Sequence, residues 1–291
     1  MTETVQVAPR RRLPEWLKKT TGTPDAIHDM KVRLRGNRLH TVCEEARCPN
    51  LTECFSRGVS TIMIAGDICT RSCRFCAVKT GRPNPLDPNE PLNTAQMVEA
   101  MALRHVVLTS VDRDDLEDGG AAHWAETIRA VRERTPKVVV EVLTPDFDGR
   151  ESDLHVVCKA SPHIFNHNME TVRRLTPQVR SRAKYDRSLS VLKFVATQYP
   201  HIPAKSGIMV GLGETKNEVF EALRDLKDAG CKYITIGQYL QPTQKHMPVA
   251  SFIHPDEFQE YVQYGHSIGL KHIFAGPFVR SSYMADHQVE L

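Results

Sequence analysis

The feature that most limits the fold of this chain is an alternation of short apolar runs with longer amphipathic segments from Thr61 onward. The apolar runs are rich in β-branched residues and have strand length; they are Thr61–Ala65, His105–Val111, Val138–Leu143, His163–Asn166, Ser206–Val210, Tyr233–Ile236 and His272–Ala275. The amphipathic segments between them include Thr94–Leu103, Ala121–Arg134, Ser188–Tyr199, Asn217–Ala229 and Pro255–Ile268. Alternating strands and helices predict a parallel sheet built from βαβ units.

The number of units distinguishes between the folds that such a sheet can adopt. About six units fit in the chain, whereas a complete eightfold barrel takes ~250 residues by itself. We therefore predict an α/β fold, a partial (β/α)6 barrel similar to a TIM barrel, with a doubly wound open sheet as the alternative. The predicted barrel spans residues 59–270, after an N-terminal extension over 1–58 and before a C-terminal segment over 271–291.

Composition and charge narrow the class of protein. The chain is 41% hydrophobic and 25% charged, as in ordinary globular proteins, and its net charge of +3 is too small to indicate a nucleic-acid partner. No apolar stretch is long enough to cross a bilayer, and the N-terminus lacks the apolar core of a secretory signal. We therefore expect a cytoplasmic protein with neither nucleic acid nor membrane as a partner. The basic run Arg10–Arg12 indicates solvated charge or, as the alternative, a contact with an acidic partner.

Three cysteines directly follow the first predicted strand. Cys69, Cys73 and Cys76 have three and then two residues between them. Barrel active sites lie at the carboxyl ends of the strands, and thiolates are soft ligands that select iron–sulfur clusters or zinc. Structural zinc prefers paired Cys-x2-Cys knuckles and four protein ligands, so this loop favours a four-iron cluster with one iron left open.

A second group of cysteines precedes the first. Cys43, Cys48 and Cys54 have four and then five residues between them, and in a reducing compartment they indicate ligands rather than disulfides. An auxiliary iron–sulfur cluster is the favoured interpretation, and a structural zinc site is the alternative. Cys158 and Cys231 occupy helix-like positions beside lysines and are interpreted as free core cysteines.

The combination of motifs indicates a family. The Cys69 loop, with Phe75 before its last cysteine, resembles the signature of the radical S-adenosylmethionine superfamily. Together with the Cys43 loop and the C-terminal stretch Arg280-Ser281-Ser282-Tyr283, it is similar to the lipoyl synthase family. Further stretches typical of that family are Thr41–Ala46, Ser110–Leu116 with Asp118–Gly120, and Gly211–Thr215, so the similarity extends from about Leu39 to Tyr283.

The resemblance implies a set of cofactors and ligands. It implies S-adenosylmethionine and two [4Fe–4S] clusters, a radical-generating one on Cys69, Cys73 and Cys76 and an auxiliary one on Cys43, Cys48, Cys54 and Ser282. From the residues alone, the pair Ser281-Ser282 would be interpreted as a turn or a cap. A serine oxygen suits iron less well than a thiolate, so a cluster that must give up sulfur would come apart more easily at that corner.

The resemblance also implies a reaction and its partners. Two sulfur atoms of the auxiliary cluster would enter carbons 6 and 8 of an octanoyl chain that is amide-linked to a lysine, each after hydrogen abstraction by a 5′-deoxyadenosyl radical. The implied substrate is an octanoylated lipoyl-carrier domain or H protein. The implied helpers are a reductant such as ferredoxin or flavodoxin and an iron–sulfur assembly protein that rebuilds the consumed cluster. We expect the enzyme to be a monomer.

Residues at the predicted strand ends are candidates to contact S-adenosylmethionine. They are Thr109, Ser110, Asn168, Glu170, Lys205, Gly211, Gly213 and Glu214. For each of them an ordinary capping, packing or surface role is the alternative, and His167 is as well explained as a core histidine. Two other functions remain open at this stage: a biotin-synthase-like sulfur-inserting enzyme, and an electron-transfer protein with two structural clusters.

Overall fold

An eight-stranded sheet organises the structure, a computed structural model that describes residues 12–18, 28, 31–32, 34–36, 39–56, 61–180 and 182–288. The strands in chain order are β1 His40–Thr41, β2 Thr61–Ile64, β3 Ile68–Cys69, β4 Lys79–Thr80, β5 His105–Ser110, β6 Val139–Leu143, β7 Ile164–Asn166, β8 Ala204–Val210, β9 Tyr233–Gln238 and β10 His272–Gly276. Strands β3 and β4 form a separate parallel pair. Of the basic run Arg10–Arg12, Arg10 and Arg11 lie outside the described residues.

Helices connect the strands of the sheet. They are α1 Val42–Glu45, α2 Leu51–Ser56, α3 Glu90–Ala100, α4 Ala121–Arg134, α5 Glu151–Lys159, α6 Thr176–Val179, α7 Tyr185–Gln198, α8 Lys216–Asp228 and α9 Pro255–Ser267. Local signals fix some of their ends: Thr215 and Glu218 form a reciprocal capping box at the start of α8, and Gly230 adopts a left-handed conformation just after its end. Within the described part of the chain, no helix is long and apolar enough to span a membrane.

The order of the strands confirms the predicted partial barrel. From β2 to β10 the seven parallel strands of the sheet stand side by side in chain order, and β1 pairs antiparallel with β2 at one edge. A doubly wound sheet would instead reverse its strand order at a switch point. Six strand–helix units are followed by a seventh strand, β10, which pairs with β9. The C-terminal segment predicted from residue 271 therefore begins with a strand of the sheet.

Alternation along the strands separates the core from the interior of the barrel. Ile62 and Ile64 of β2 pack in a core cluster with α3 and α4, whereas Met63 between them faces a cavity inside the barrel. The same alternation places Leu108 in the core and Thr109 at the cavity. A second core cluster joins the outer faces of β8, β9 and β10 to α8 and α9. The strands thus present their inner faces and carboxyl ends to one interior space.

Candidate functional site

A cavity of about 420 Å³ lies inside the barrel near the carboxyl ends of the strands. Residues from both predicted cysteine groups line it: Cys69, Cys73, Cys76 and Cys48. The C-terminal Ser281 and Ser282 line it as well. Segments that are more than 200 positions apart in sequence therefore meet at one interior surface, and this surface is the candidate active site.

The Cys69 loop is held at the end of the sheet by bonds to its backbone and sulfur. The backbone N–H groups of Arg71 and Asp112 each donate to Cys69 Sγ at 3.4 Å, and the backbone N–H of Cys76 donates to the Cys73 carbonyl at 3.1 Å. Donors aimed at a sulfur stabilise its thiolate form and help to set the potential of a bound cluster. The loop is therefore shaped for a charged sulfur ligand.

Arg71, inside the Cys69 loop, is the main anchor of that loop. Its buried guanidinium forms ion pairs with Asp112 at 3.2 Å, Asp114 at 2.7 Å and Asp146 at 2.8 Å. Burial lowers the pKa of Arg71, but the three carboxylates raise it more, so the group stays charged. Because the three aspartates follow β5 and β6, this network ties the loop to two neighbouring strand ends.

Burial keeps the thiols of the Cys69 loop neutral while no cation is bound. It raises the pKa of Cys69 to about 11, with a contribution from the charge of Asp112. It also raises the pKa values of Cys73 and Cys76 to about 12, and the charge of Cys69 contributes to the raised pKa of both. Metal binding must displace these protons, and the positive charge of iron favours the thiolate.

The second cysteine group spans two short helices and the connection between them: Cys43 lies on α1, Cys54 on α2 and Cys48 between the two. Thr41 caps α1 by accepting a hydrogen bond from the Glu44 N–H at 3.3 Å, and Cys43 lies buried in that helix. Burial, with the charges of Cys48 and Cys54, raises the pKa of Cys43 to about 12. The three thiols are thus near one another, although only Cys48 of the three lines the cavity.

Two long-range hydrogen bonds fasten the C-terminal segment onto the second cysteine group. Asn50 Nδ2 donates to the Phe278 carbonyl at 2.8 Å, and the Tyr283 hydroxyl donates to Glu53 Oε1 at 2.8 Å. Glu53 immediately precedes Cys54, so Ser282 is carried to the same side of the cavity as the cysteines. Ser282 lines the same cavity as Cys48, and its role as a fourth ligand stays a prediction.

Among the described residues, the group with the spacing of a single-ion site is not a cysteine triplet. Across the described residues, neither triplet has its three sulfurs within the 4.8 Å of one another that would suit one metal ion. Ligands of a four-iron cluster bind different corners and stand farther apart, and an all-thiolate set is the usual one for such a cluster. A group that does meet the single-ion distance is His40, Glu45 and Asp67, where Asp67 is already paired with Lys79 at 2.5 Å.

Four of the eight predicted cofactor contacts line the cavity: Thr109, Ser110, Asn168 and Glu170. Buried polar oxygens on this wall, Asn168 Oδ1 and Thr144 Oγ1, have no hydrogen-bond partner within the described part of the chain. Oxygens without a partner in a cavity can accept hydrogen bonds from the hydroxyl or amino groups of a polar ligand. Glu170 also has a left-handed backbone with φ of 66°, a strain that concentrates at functional sites.

The remaining four predicted contacts do not line the cavity. Lys205 is completely buried, forms an ion pair with Glu141 at 2.8 Å and is not among the residues that line the cavity. Glu214 accepts hydrogen bonds from the backbone N–H groups of Gly211 and Leu212 at 2.5 and 3.0 Å, and so closes its own turn. Gly211 and Gly213 shape that turn through positive φ angles. The cavity is instead lined by Gly207, Ile208 and Met209, earlier in the same strand.

His167 lines the cavity but its ring is fully engaged. Nδ1 donates to the Thr144 carbonyl at 2.9 Å, and Nε2 accepts from the Ser188 hydroxyl at 2.9 Å. Burial, with the nearby charge of Arg180, lowers the pKa of His167 to about 4. The ring is therefore neutral near pH 7. Its contacts are those of a hydrogen-bonded core histidine rather than of a residue that is free to contact the cofactor.

Sequence reasoning missed two charged residues of the cavity wall. Asp146 follows β6 and pairs with Arg71, and Arg180 donates to the carbonyl oxygens of Asn168 and Met169 at 3.2 and 3.1 Å. The position of Asp146 just beyond a predicted strand end was a usable signal. Arg180 follows a short helix whose position the sequence did not indicate.

Comparisons with known proteins agree with this geometry. A family model described as the radical SAM superfamily matches residues 63–226, and one described as the N-terminal domain of lipoyl synthase matches residues 2–48. Lipoyl synthase of Shouchella clausii is 55% identical over 96% of this chain and 90% of its own length. Lipoyl synthase of Bacteroides fragilis is 52% identical over 96% of each chain.

Solved structures support the fold independently of sequence. Streptococcus suis SuiB bound to S-adenosylmethionine superposes with a TM-score of 0.59 at 11% identity, over 83% of this chain and 57% of that one. Methylornithine synthase superposes with a TM-score of 0.58 at 14% identity, over 89% of this chain and 77% of that one. At such low identity these likenesses establish the barrel and nothing finer.

Proposed function

The chain belongs to the lipoyl synthase family of the radical S-adenosylmethionine superfamily, and from this premise we propose how its residues divide the work of sulfur insertion. It is a radical enzyme that inserts sulfur, with iron–sulfur clusters and S-adenosylmethionine as cofactors. We propose that the sulfur enters carbons 6 and 8 of an octanoyl chain on a carrier lysine. The observation that carries this proposal is the meeting of both cysteine groups and Ser282 around one cavity.

Cys69, Cys73 and Cys76 would hold the cluster that cleaves S-adenosylmethionine. When bound, that cluster and cofactor supply a 5′-deoxyadenosyl radical able to remove hydrogen from an unactivated C–H bond. Arg71 fixes the loop through its three aspartate partners, so the three sulfurs keep a defined position relative to the strand ends. Thr109, Ser110, Asn168 and Glu170 would orient the cofactor from the wall of the cavity.

Cys43, Cys48, Cys54 and Ser282 would hold the auxiliary cluster that donates the sulfur. In this division the extension over residues 1–58 supplies three ligands and the segment over 271–291 supplies the fourth. The cavity wall near these ligands includes apolar side chains suited to an aliphatic chain, among them Val42, Pro49, Leu240 and Val279. A chain bound there would have both radical and sulfur sources within the same enclosed space.

The partners follow from the same chemistry. A lipoyl-carrier protein is the substrate and a reductant supplies electrons, as in the family. We propose that the carrier is an octanoylated lipoyl domain or H protein and that the reductant is a ferredoxin or a flavodoxin. Because each product removes sulfur from the auxiliary cluster, we expect repeated turnover to require an iron–sulfur assembly protein. More than one lipoyl group per chain without a cluster source would contradict this expectation.

Anaerobic reconstitution tests the proposed function. Iron analysis should give about eight irons per chain, as two four-iron clusters require. Mass spectrometry of an octanoylated carrier peptide should then show two added sulfurs together with released 5′-deoxyadenosine. Cleavage of S-adenosylmethionine with no sulfur in the peptide would refute the proposed substrate while leaving the radical chemistry intact.

A single substitution tests the division of labour between the two clusters. Cys54→Ala should lower the iron content to about four per chain, retain formation of 5′-deoxyadenosine and stop sulfur insertion. The matched control is Cys158→Ala, since Cys158 is a buried free cysteine of the outer core that does not line the cavity. Sulfur insertion by Cys54→Ala at the level of this control would contradict the assigned ligand set.

A further inference from the structure

Two adjacent serines line the cavity at the junction of the two cluster sites, but only Ser282 has a role in the proposed function. Its neighbour Ser281 makes a contact of a different kind. Asn168 Nδ2 donates to Ser281 Oγ at 3.2 Å, across 113 positions of sequence. This hydrogen bond joins the C-terminal segment to the end of β7, where the proposed cofactor contacts lie.

The same amide nitrogen has a second partner, which fixes the orientation of the side chain. Asn168 Nδ2 also donates to Glu170 Oε1 at 3.0 Å. An amide nitrogen carries two hydrogens, so both are used by Glu170 and Ser281. The amide oxygen is then left to face the barrel interior, and Asn168 Oδ1 is the buried atom without a partner within the described residues.

Close packing leaves this arrangement little freedom. A Cβ on Gly207 would lie 2.8 Å from Asn168 Oδ1, and a Cβ on Gly237 would lie 2.0 Å from the Val279 carbonyl oxygen. The side-chain amide of Asn168 therefore packs directly against β8 at Gly207, and the C-terminal segment packs directly against the neighbouring strand β9 at Gly237. Ser281 is the residue through which these two tightly packed elements are hydrogen-bonded.

We propose that Ser281 is a positioning residue that couples the segment carrying Ser282 to Asn168 at the cofactor site. The inference rests on the proposed function, since it takes Ser282 as an auxiliary-cluster ligand and Asn168 as a cofactor contact. The hydrogen bond holds Asn168 Oδ1 toward the cofactor and holds the auxiliary segment closed over the cavity. Loss of this hydrogen bond should allow cofactor cleavage that is not followed by sulfur transfer, while both clusters remain bound.

The test compares Ser281→Ala with Ser281→Thr, which keeps the hydroxyl. Both variants should bind about eight irons per chain after reconstitution, because Ser281 is not a ligand. In a single turnover, Ser281→Ala should release about three- to tenfold more 5′-deoxyadenosine per sulfur inserted, the effect of losing one hydrogen bond. Ser281→Thr should return this ratio toward that of the parent enzyme. A ratio unchanged in Ser281→Ala would overturn the proposal, as would a fall to about four irons.

A double substitution asks whether Ser281 acts through Asn168. Asn168→Ala alone should weaken binding of S-adenosylmethionine and raise the same ratio. Adding Ser281→Ala to Asn168→Ala should change the ratio no further, because residues that share one interaction are not additive. Fully additive effects would show that Ser281 acts elsewhere and would overturn the proposal. Ser282→Ala tests the underlying function separately, since sulfur insertion at the parent level in that variant would refute Ser282 as a ligand that the reaction needs.

Discussion

Replacing Gly237 by alanine should displace the C-terminal segment from β9 while the barrel keeps its fold. Gly237 lies on β9, and a Cβ there would meet the Val279 carbonyl oxygen at 2.0 Å and the Val279 carbonyl carbon at 3.0 Å. Ordinary contact begins near 3.4 Å, so the segment must move by more than an ångström. The obstacle is backbone rather than the end of a flexible side chain, and a rotamer change cannot relieve it.

The cost of this overlap can be expressed as a change in activity. Overpacking of this kind costs about 1–3 kcal/mol. If the segment carries that cost, the ratio of molecules with Ser282 seated at the cavity to molecules with it displaced falls by roughly 5- to 140-fold, and the seated fraction falls by at most that factor. The assay is an anaerobic single turnover in which 5′-deoxyadenosine and the sulfur-containing peptide are measured together. We expect Gly237→Ala to keep most of its cofactor cleavage and to lose sulfur insertion by up to that factor.

Gly276→Ala is the matched control, because it places the same methyl group on the neighbouring strand β10. The nearest atom there is Val279 Cγ2 at 3.4 Å, an ordinary contact with a side chain of the same segment. Gly276→Ala should therefore retain sulfur insertion close to the parent level. Equal loss in both variants, or no loss in Gly237→Ala, would show that seating of the segment on β9 does not control sulfur transfer.

Three further predictions concern buried charges. Glu141→Gln leaves the fully buried Lys205 without its anionic partner and should lower the free energy of unfolding by about 3–5 kcal/mol in urea titrations, whereas S-adenosylmethionine binding by the refolded variant should be unchanged. Arg71→Gln removes the cation that three aspartates share, and should reduce both thermal stability and the iron bound at the Cys69 loop. The pKa of about 4 for His167 lies below its unfolded value, so the unfolded chain binds more protons and stability should fall by about 3 kcal/mol as pH drops from about 6.5 to 4. Urea titrations across this pH range should show a shallower fall for His167→Gln, and equal falls would contradict the neutral buried ring.

The fold was accessible from the sequence because its signals are local. Strand and helix periodicity between Thr61 and Ala275 arises within each segment, and the partial barrel follows from the number of units. The Cys69 loop was accessible for the same reason, since its three ligands lie within eight residues and follow a strand. The family resemblance extended this to Ser282, which no local pattern distinguishes from an ordinary turn.

The errors have a different physical origin. Lys205 is predicted to contact the cofactor from its position just before a strand, but it lies at the amino end of β8, whereas the cavity lies near the carboxyl ends of the strands. Glu141, two strands away in the sheet, supplies the buried partner that determines the outcome. The Glu214 turn was misassigned because its hydrogen bonds are satisfied within its own loop. The partners of buried polar side chains are often distant in sequence, so the hydrophobic periodicity of a segment does not predict them.

Long-range hydrogen bonds join the C-terminal segment to residues early and midway in the chain. Asn50 with Phe278 and Glu53 with Tyr283 are each separated by more than 220 positions, and Asn168 with Ser281 by more than 100. Ordering a terminal segment costs conformational entropy. The few hydrogen bonds that hold this segment are too weak to offset that cost alone, so its packing against β9 must contribute as well. A segment held so narrowly can be displaced by one methyl group. The auxiliary site is therefore expected to be less stable than the barrel beneath it, a property that would suit the proposed consumption and rebuilding of its cluster.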